Sequence, residues 1–115
     1  MPPHTSDFLP LGDLAFLVLL ALGDGPAHGY AIGKEVEARS GGRLDPTTGA
    51  LYQALKRLTA EGLVRQVTVR DSADPRRKYF ALTAAGRRAV AAEVRRLEGL
   101  VELARDRRLY PANAR

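Results

Sequence analysis

Apolar residues recur at helical spacing in the middle of the chain, between Asp45 and Gly62. Leu51, Leu55 and Leu58 lie four and three residues apart, so on a helix they form one apolar stripe. Asp45 is predicted to cap this helix, and Gly62 is predicted to end it. The pattern therefore predicts a helix of roughly 16 residues that packs through its leucines.

The opposite face of this predicted helix is polar and carries no carboxylate before Glu61. It combines short hydroxyls, a glycine, an amide and two cations: Thr47, Thr48, Gly49, Gln53, Lys56 and Arg57. Such a surface suits a polyanion, because cations and hydroxyls contact phosphates while amides and methyls contact base edges. We interpret the segment as a DNA recognition helix.

Two further helices are predicted before this one. Residues 11–22 are apolar on nearly all sides, which indicates a helix that is buried on more than one face. The segment is either a central core helix or a helix that also contributes to a subunit interface, and in the second case the interface residues are Leu14, Leu17 and Val18. A Gly/Pro-rich turn follows, and a second helix is predicted over residues 28–39. His28 is predicted to have a local capping or packing role.

Two strands are predicted after the recognition helix, over residues 63–69 and 78–83. Asp74 and Pro75 supply a turn between them, so the strands form a hairpin with Arg70, Arg76 and Arg77 at its tip. Three helices followed by a two-stranded ribbon is the element order of a winged helix-turn-helix. In that arrangement one helix enters the major groove, and we expect the ribbon to contact the backbone or the minor groove.

A long helix is predicted to end the chain, capped by Thr83 and running over residues 84–108. Its apolar residues alternate spacings of four and three: Val90, Val94, Leu97, Val101 and Ala104. At 1.5 Å per residue the helix is roughly 37 Å long and projects beyond so small a body. It is predicted either to pair with a second subunit or to fold back over its own first helix.

The predicted fold is mainly α with a small β-hairpin, a winged helix-turn-helix plus a long C-terminal dimerisation helix. Residues 1–10 are expected to form a flexible arm, 11–83 the winged-helix domain, 84–108 the dimerisation helix and 109–115 a tail. At 115 residues the chain is large enough for one domain and too small for a separate sensing domain.

Charge is unevenly distributed along the chain, whose net charge is +5. Residues 1–45 carry −3, residues 46–80 carry +4 and residues 81–115 carry +4. A basic middle after an acidic start fits a scaffold that presents one face to nucleic acid, although a merely solvated basic surface is the alternative.

Several kinds of chemistry are not expected. The absence of cysteine excludes disulfides and thiolate metal sites, and His4 and His28 cannot form a metal cluster by themselves. We expect no bound metal, no cofactor and no enzymatic activity. The sequence has no recognisable pair of catalytic carboxylates, no phosphate-binding glycine loop and no activated nucleophile. The longest apolar run, residues 14–22, is about half of a bilayer span, so the protein is expected to be cytoplasmic.

The motifs together resemble those of the PadR-like transcriptional regulators. The matching segments are HGYAI at 28–32, LALGDGPAHGY at 20–30, TTGALYQALKRLTAEGLV at 47–64 and RRKYFALTAAG at 76–86. Their order and spacing carry the resemblance more than any single segment does. The chain is similar to the short-tailed branch of the family, which has a single C-terminal dimerisation helix.

The resemblance implies a homodimeric winged-helix protein that binds an inverted-repeat operator in double-stranded DNA and usually represses. The operator contacts it implies are in the recognition helix, the preceding helix and the wing: Thr47, Thr48, Gly49, Tyr52, Gln53, Lys56, Tyr30, Arg76, Arg77 and Lys78. Gln53 stands where the family often has proline, a departure that bears on sequence preference more than on binding.

The resemblance also implies release from DNA by a small aromatic effector near the dimer interface, where one type of family member uses a tryptophan. This chain has no tryptophan, and its aromatic candidates are Phe8, Phe16 and Tyr110, for which a packing role is the favoured explanation. The alternative function is a winged-helix module that binds a protein or a small molecule without binding an operator.

Overall fold

The structure, a computed structural model, describes residues 4–70 and 74–111. A 3-10 turn at Thr5–Phe8 precedes four helices and three short strands. In chain order these are α1 (Asp13–Ala21), β1 (Ala27–His28), α2 (Gly29–Arg39), α3 (Thr48–Ala60), β2 (Val64–Val67), β3 (Tyr79–Leu82) and α4 (Ala84–Asp106). The mainly helical fold predicted from the sequence is confirmed.

The sheet has three antiparallel strands in the order β1-β3-β2, so the prediction of a two-stranded ribbon was incomplete. The predicted hairpin is formed by β2 and β3, with Val64 opposite Leu82 and Val67 opposite Tyr79. The extra strand, β1, pairs His28 with Tyr79 on the other side of β3. A strand of two residues is too short to show an alternating pattern in the sequence.

The core lies where α1, α2 and α3 meet the sheet, and Leu19, Ile32 and Leu58 at its centre are fully buried. Val18 is also 0 % exposed within the single chain, so its assignment to a dimer interface was wrong. Because α1 is apolar on nearly all sides, its sequence does not reveal which side the core occupies. Leu14 and Leu17 are half-buried against this core.

The ends of α3 are only partly as predicted. Thr47, not Asp45, is the N-cap, and its Oγ1 accepts a hydrogen bond of 3.1 Å from the backbone N–H of Ala50. Both residues are good caps, and the chain enters the helix two residues later than predicted. Gly62 follows the C-cap with φ +77°, a left-handed conformation that favours glycine, so its predicted role is confirmed.

The first half of α4 is packed on the body and the second half projects from it. Thr83 caps the helix as predicted, its Oγ1 accepting from the N–H of Gly86 at 3.0 Å. The buried residues of α4 are Gly86, Ala89 and Glu93, all in its first half. The radius of gyration is 15.9 Å, against about 13 Å for a compact domain of this length. The helix ends at Asp106, two residues earlier than predicted.

A buried carboxylate joins α4 to the segment that precedes α1. Glu93 is 2 % exposed, and its Oε2 accepts a 2.8 Å hydrogen bond from the backbone N–H of Leu11. Its Oε1 accepts from Arg96 Nε. The bond from Arg96, aided by that from Leu11, holds the pKa of Glu93 below its usual value despite burial.

The segment predicted to be a flexible arm is partly ordered. Thr5–Phe8 form the 3-10 turn, which contacts α4, and Phe8 and Leu9 pack against the core. Residues 1–3 lie outside the described ranges. Among the helices in those ranges, none is both long enough and apolar enough to traverse a lipid bilayer.

Candidate nucleic-acid interface

The two faces of α3 divide as the sequence predicts. Leu51, Leu55 and Leu58 are at most 4 % exposed, whereas the polar residues predicted for DNA contact are all exposed: Thr47, Thr48, Gly49, Gln53, Lys56 and Arg57. A Cβ placed on Gly49 would meet nothing nearer than Thr47 Oγ1 at 4.0 Å. The helix backbone at Gly49 is therefore accessible to a large partner.

Tyr52 connects α3 to the first turn of α2. A Cβ added at Gly29 would collide with the Tyr52 phenol, whose Cζ is 2.8 Å from that position. The ring therefore packs directly on the glycine backbone, although Tyr52 remains 41 % exposed. This contact accounts for the glycine between His28 and Tyr30, because any other residue would displace the ring.

The wing, defined as residues 68–78 between β2 and β3, carries three exposed cations at its C-terminal end: Arg76, Arg77 and Lys78. Asp74 Oδ1 accepts from the Arg76 backbone N–H at 3.0 Å and from its Nε at 3.3 Å. These bonds lower the pKa of Asp74 and fix the turn. Arg70 is also exposed, and residues 71–73 of the predicted tip lie outside the described ranges.

His28 caps α2, which confirms its predicted local role. Its Nδ1 accepts a 3.2 Å hydrogen bond from the backbone N–H of Ala31, and its ring meets Tyr79 edge-on with centroids 5.3 Å apart. Its Nε2 lies 3.0 Å from Arg77 Nη1. Burial and, less strongly, the Arg77 guanidinium lower the pKa of His28.

The contacts of His28 with Ala31 and with Arg77 both require an acceptor nitrogen on the same imidazole ring. A neutral imidazole has a single acceptor nitrogen, so when Nδ1 accepts from Ala31, Nε2 carries the proton and faces another donor on Arg77. In that tautomer His28 offers the Arg77 guanidinium no acceptor at Nε2. Sequence reasoning missed this contact because 49 positions separate the two residues. The pairing of β1 with β3 brings them together.

A cavity of about 340 Å³, which we call the notch, lies between the start of α2, Tyr52 and the wing. Its lining residues are His28, Gly29, Tyr30, Tyr52, Arg76, Arg77 and Lys78. The fold thus brings together five of the eleven residues predicted to contact DNA. Among the described residues that line the notch there are three cations and no carboxylate, so it is suited to an anion.

Arg57 stands apart from this arrangement. Its Nε lies 3.7 Å from Glu61 Oε1, one turn further along α3. It is not among the residues that line the notch. Its charge is offset by Glu61, the C-cap residue of α3, as the charge of Arg76 is offset by Asp74 in the wing.

The model of the transcriptional regulator PadR-like family matches residues 18–92, well over half of the chain. The chain belongs to the PadR-like family. Members of that family are transcription regulators and not enzymes, in agreement with the class of protein that the sequence predicts. The matched range extends from α1 into α4 and contains α3, the notch and the wing.

A curated relative of this PadR-like chain is an uncharacterized 37.1 kDa protein in transposon TN4556 of Streptomyces fradiae. The two are 47 % identical over 92 residues, which cover 77 % of this chain and 25 % of the relative. The chain therefore spans about a quarter of the length of that relative.

Solved structures share the PadR-like fold. A PadR family regulator from Clostridium difficile is 24 % identical, with a TM-score of 0.70 over 83 % of this chain and 97 % of its own. Bacillus subtilis PadR in complex with operator DNA is 25 % identical, with a TM-score of 0.62 over 74 % and 48 %. The regulator BldR of Sulfolobus solfataricus is 26 % identical, with a TM-score of 0.67 over 95 % and 69 %.

Proposed function

We propose that this PadR-like regulator binds double-stranded DNA through one continuous surface, formed by the exposed face of α3, the notch and the wing. The observation that carries the proposal is the notch, where three wing cations meet Tyr30 and Tyr52 beside the open face of α3. The operator-bound structure of Bacillus subtilis PadR, a protein of similar fold, supports it.

The two parts of this surface have different roles. Lys56 and the wing cations contact phosphates, which set affinity and salt dependence without reading sequence. Thr47, Thr48 and Gln53 face base edges in the major groove. Gln53 can pair with adenine through two hydrogen bonds, and threonine methyls can contact thymine methyls, so A and T are expected at informative positions.

The notch serves a phosphate at the start of α2. The backbone N–H groups of a helix N-terminus carry partial positive charge and attract anions. Here that N-terminus faces Arg76, Arg77 and the Tyr52 phenol. Tyr30 is 68 % exposed, and Lys34 Nζ lies 5.7 Å from its ring centroid, so a fourth cation lies beside the notch.

The regulator acts as a homodimer through α4 in this proposal. Val94, Leu97 and Val101 are 39 %, 38 % and 39 % exposed along one row, which Val90 and Ala104 extend as partly buried neighbours. Apolar side chains at this density on a projecting helix are typical of an interface. The partner covers them with its own α4 or with its α1, where Leu14 and Leu17 are half-buried and Leu20 is 47 % exposed.

Twofold symmetry then fixes the form of the operator. The two α3 helices would enter successive major grooves roughly 34 Å apart, so the site is an inverted repeat. Bound there in the cytoplasm, the dimer represses by excluding the transcription machinery, and a small-molecule effector releases it. Phe8 and Phe16 pack against the core and Tyr110 lies 4.3 Å from the Arg105 guanidinium, which favours packing roles for these rings.

The test is binding of the purified protein to DNA from upstream of its own gene, compared with unrelated DNA of equal length. We expect a preference of about a thousandfold or more for the upstream fragment. Binding that is equal for both fragments would contradict an operator in that region. A lack of binding to any DNA at low salt would instead support the interaction module without operator binding.

A further inference from the structure

The ring of His28 lines the notch, although the sequence predicts only a local role for this residue. Two tyrosines hold the ring in a defined orientation. Tyr79 meets it edge-on, with centroids 5.3 Å apart, and Tyr30 lies nearly parallel to it, at 6.5 Å and 21°. The two ring nitrogens are therefore directed at different neighbours, Nδ1 at the backbone N–H of Ala31 and Nε2 at Arg77.

The cap of α2 selects the tautomer of this ring. If Nε2 of His28 accepted from Arg77, Nδ1 would carry the proton and the backbone N–H of Ala31 would lose its acceptor. That N–H makes a part-buried bond, and the loss of a capping acceptor destabilises a helix. Arg77 is exposed, so water can accept from its guanidinium instead. The neutral ring therefore carries its proton on Nε2.

Two donors then face each other at the wall of the notch. His28 Nε2 and Arg77 Nη1 are 3.0 Å apart, close enough for one oxygen to accept a hydrogen bond from both. A phosphate oxygen suits this position, because its negative charge also matches the wing cations. Among the described residues that line the notch, no carboxylate competes for these two donors.

We propose that His28 donates its Nε2–H directly to a DNA phosphate, through an oxygen that also accepts from Arg77. This inference rests on the proposed function and adds a contact of a different kind, because a neutral ring makes it. A neutral donor adds affinity without releasing a counterion, so it does not contribute to the salt dependence of binding. The same ring serves the helix and the DNA, since the acceptor role of Nδ1 keeps the proton on Nε2.

The tautomer is measured first, in the full chain labelled with ¹⁵N and without DNA. Burial and Arg77 lower the pKa of His28, so the ring is neutral at pH 8. Two-bond ¹⁵N–¹H correlation spectra at this pH should show the ring protonated at Nε2. A ring protonated at Nδ1 would overturn the proposal.

Addition of the upstream DNA fragment should then shift the Nε2 resonance of His28. His4 is the internal control, because it precedes the turn at Thr5–Phe8, which contacts α4 and not the notch. An Nε2 resonance that DNA leaves unchanged, or a change no larger than that of His4, would contradict the contact.

Two substitutions separate the roles of the two ring nitrogens. His28→Asn keeps an oxygen near the position of Nδ1 and so keeps the cap, but it has no donor near Nε2. It should weaken DNA binding about tenfold per subunit, as expected for one hydrogen bond to a charged group, with thermal stability at pH 8 retained. The matched control, His4→Asn, should leave the affinity unchanged.

His28→Gln is the reciprocal variant, because its amide nitrogen reaches the position of Nε2 while the cap is lost. It should lower the melting temperature and yet recover part of the DNA affinity that His28→Asn loses. If His28→Gln bound DNA more weakly than His28→Asn, the cap and not the donor would support binding, and the proposal would be wrong.

The salt dependence distinguishes a neutral contact from a cationic one. His28→Asn should leave the slope of log Kobs against log salt unchanged, whereas Arg77→Gln should reduce its magnitude by about 1 per subunit. Equal reductions would mean that His28 binds as a cation and would overturn the proposal. Full affinity in His28→Asn would refute the contact and leave the proposed function standing. If the unsubstituted chain binds no DNA at low salt, the proposed function fails, and this contact fails with it.

Discussion

Replacing Glu93 tests how α4 is attached to the body. Its carboxylate is buried and accepts the backbone N–H of Leu11, which is itself only 3 % exposed. Glu93→Leu removes this acceptor while keeping the approximate volume of the side chain. The Leu11 N–H is then left buried without a partner, and no water can reach it easily.

The expected cost follows from that orphaned donor. An unsatisfied buried N–H costs about 1–3 kcal/mol, so Glu93→Leu should lower the free energy of unfolding by roughly that amount. Glu93→Gln keeps an oxygen acceptor for Leu11 and loses only the charge that pairs with Arg96, which is part exposed. Glu93→Gln should therefore lower the free energy of unfolding by less than Glu93→Leu does, within the roughly 1 kcal/mol expected for a part-exposed ion pair.

Urea unfolding followed by circular dichroism measures both costs, at one protein concentration so that any dimer contributes equally. The control is Glu98→Leu, on the exposed side of the same helix, which should change stability by less than about 0.5 kcal/mol. The reasoning would be refuted if Glu93→Leu behaved like this control. It would also be refuted if Glu93→Gln cost as much as Glu93→Leu, because the charge would then matter more than the acceptor.

The same residue predicts a dependence on acid. The folded state holds the pKa of Glu93 below its usual value of 4.5, so the unfolded chain binds its proton more readily. The stabilisation is therefore complete above about pH 4.5 and is lost as the pH falls through the lower folded value. In Glu93→Gln this component of the acid dependence should be missing, and identical acid profiles would contradict it.

Three further predictions concern other parts of the chain. Gly86→Ala should lower the free energy of unfolding by about 1–3 kcal/mol or more, because a Cβ there would collide with the Leu63 carbonyl. Its control, Gly99→Ala, has open space around the new methyl group and should be neutral or stabilising in the same urea assay. Leu97→Glu should shift sedimentation velocity from dimer to monomer, and a dimer that survives would place the interface elsewhere. The folded state lowers the pKa of His28 below its usual 6.5, so thermal stability should fall as the pH drops from 6.5 through the folded value and protonation removes the cap acceptor. His28→Asn can cap the helix at either pH and should lack this loss.

Features that depend on neighbouring residues could be predicted from the sequence. The leucine stripe of α3 and the Thr83 cap of α4 follow from spacing and from local hydrogen bonding, and the structure agrees with both. The choice between Asp45 and Thr47 as the cap of α3 could not be made in this way. Both side chains can accept the same backbone bond, and the path of the preceding loop decides between them.

Features that depend on distant residues were missed. The hydrogen bond between Leu11 and Glu93 joins positions 82 apart, and an acid on a helix usually indicates an exposed face. Gly86, Ala89 and Glu93 do follow helical spacing, so a second packed row could have been suspected. In the candidate DNA surface, the exposed residues of α3 could be predicted from residue type and spacing. The notch could not, because it depends on the pairing of β1 with β3.

The most direct test of the central claim is the salt dependence of binding to the upstream DNA fragment. The proposal gives each subunit four phosphate contacts, from Lys56, Arg76, Arg77 and Lys78, so a dimer should show a slope of about −7 in log Kobs against log salt. Lys78→Gln should reduce the slope to about −5, while Arg95→Gln, an exposed cation on α4, should leave it unchanged. A slope near zero, or equal effects of the two variants, would contradict DNA binding through this surface.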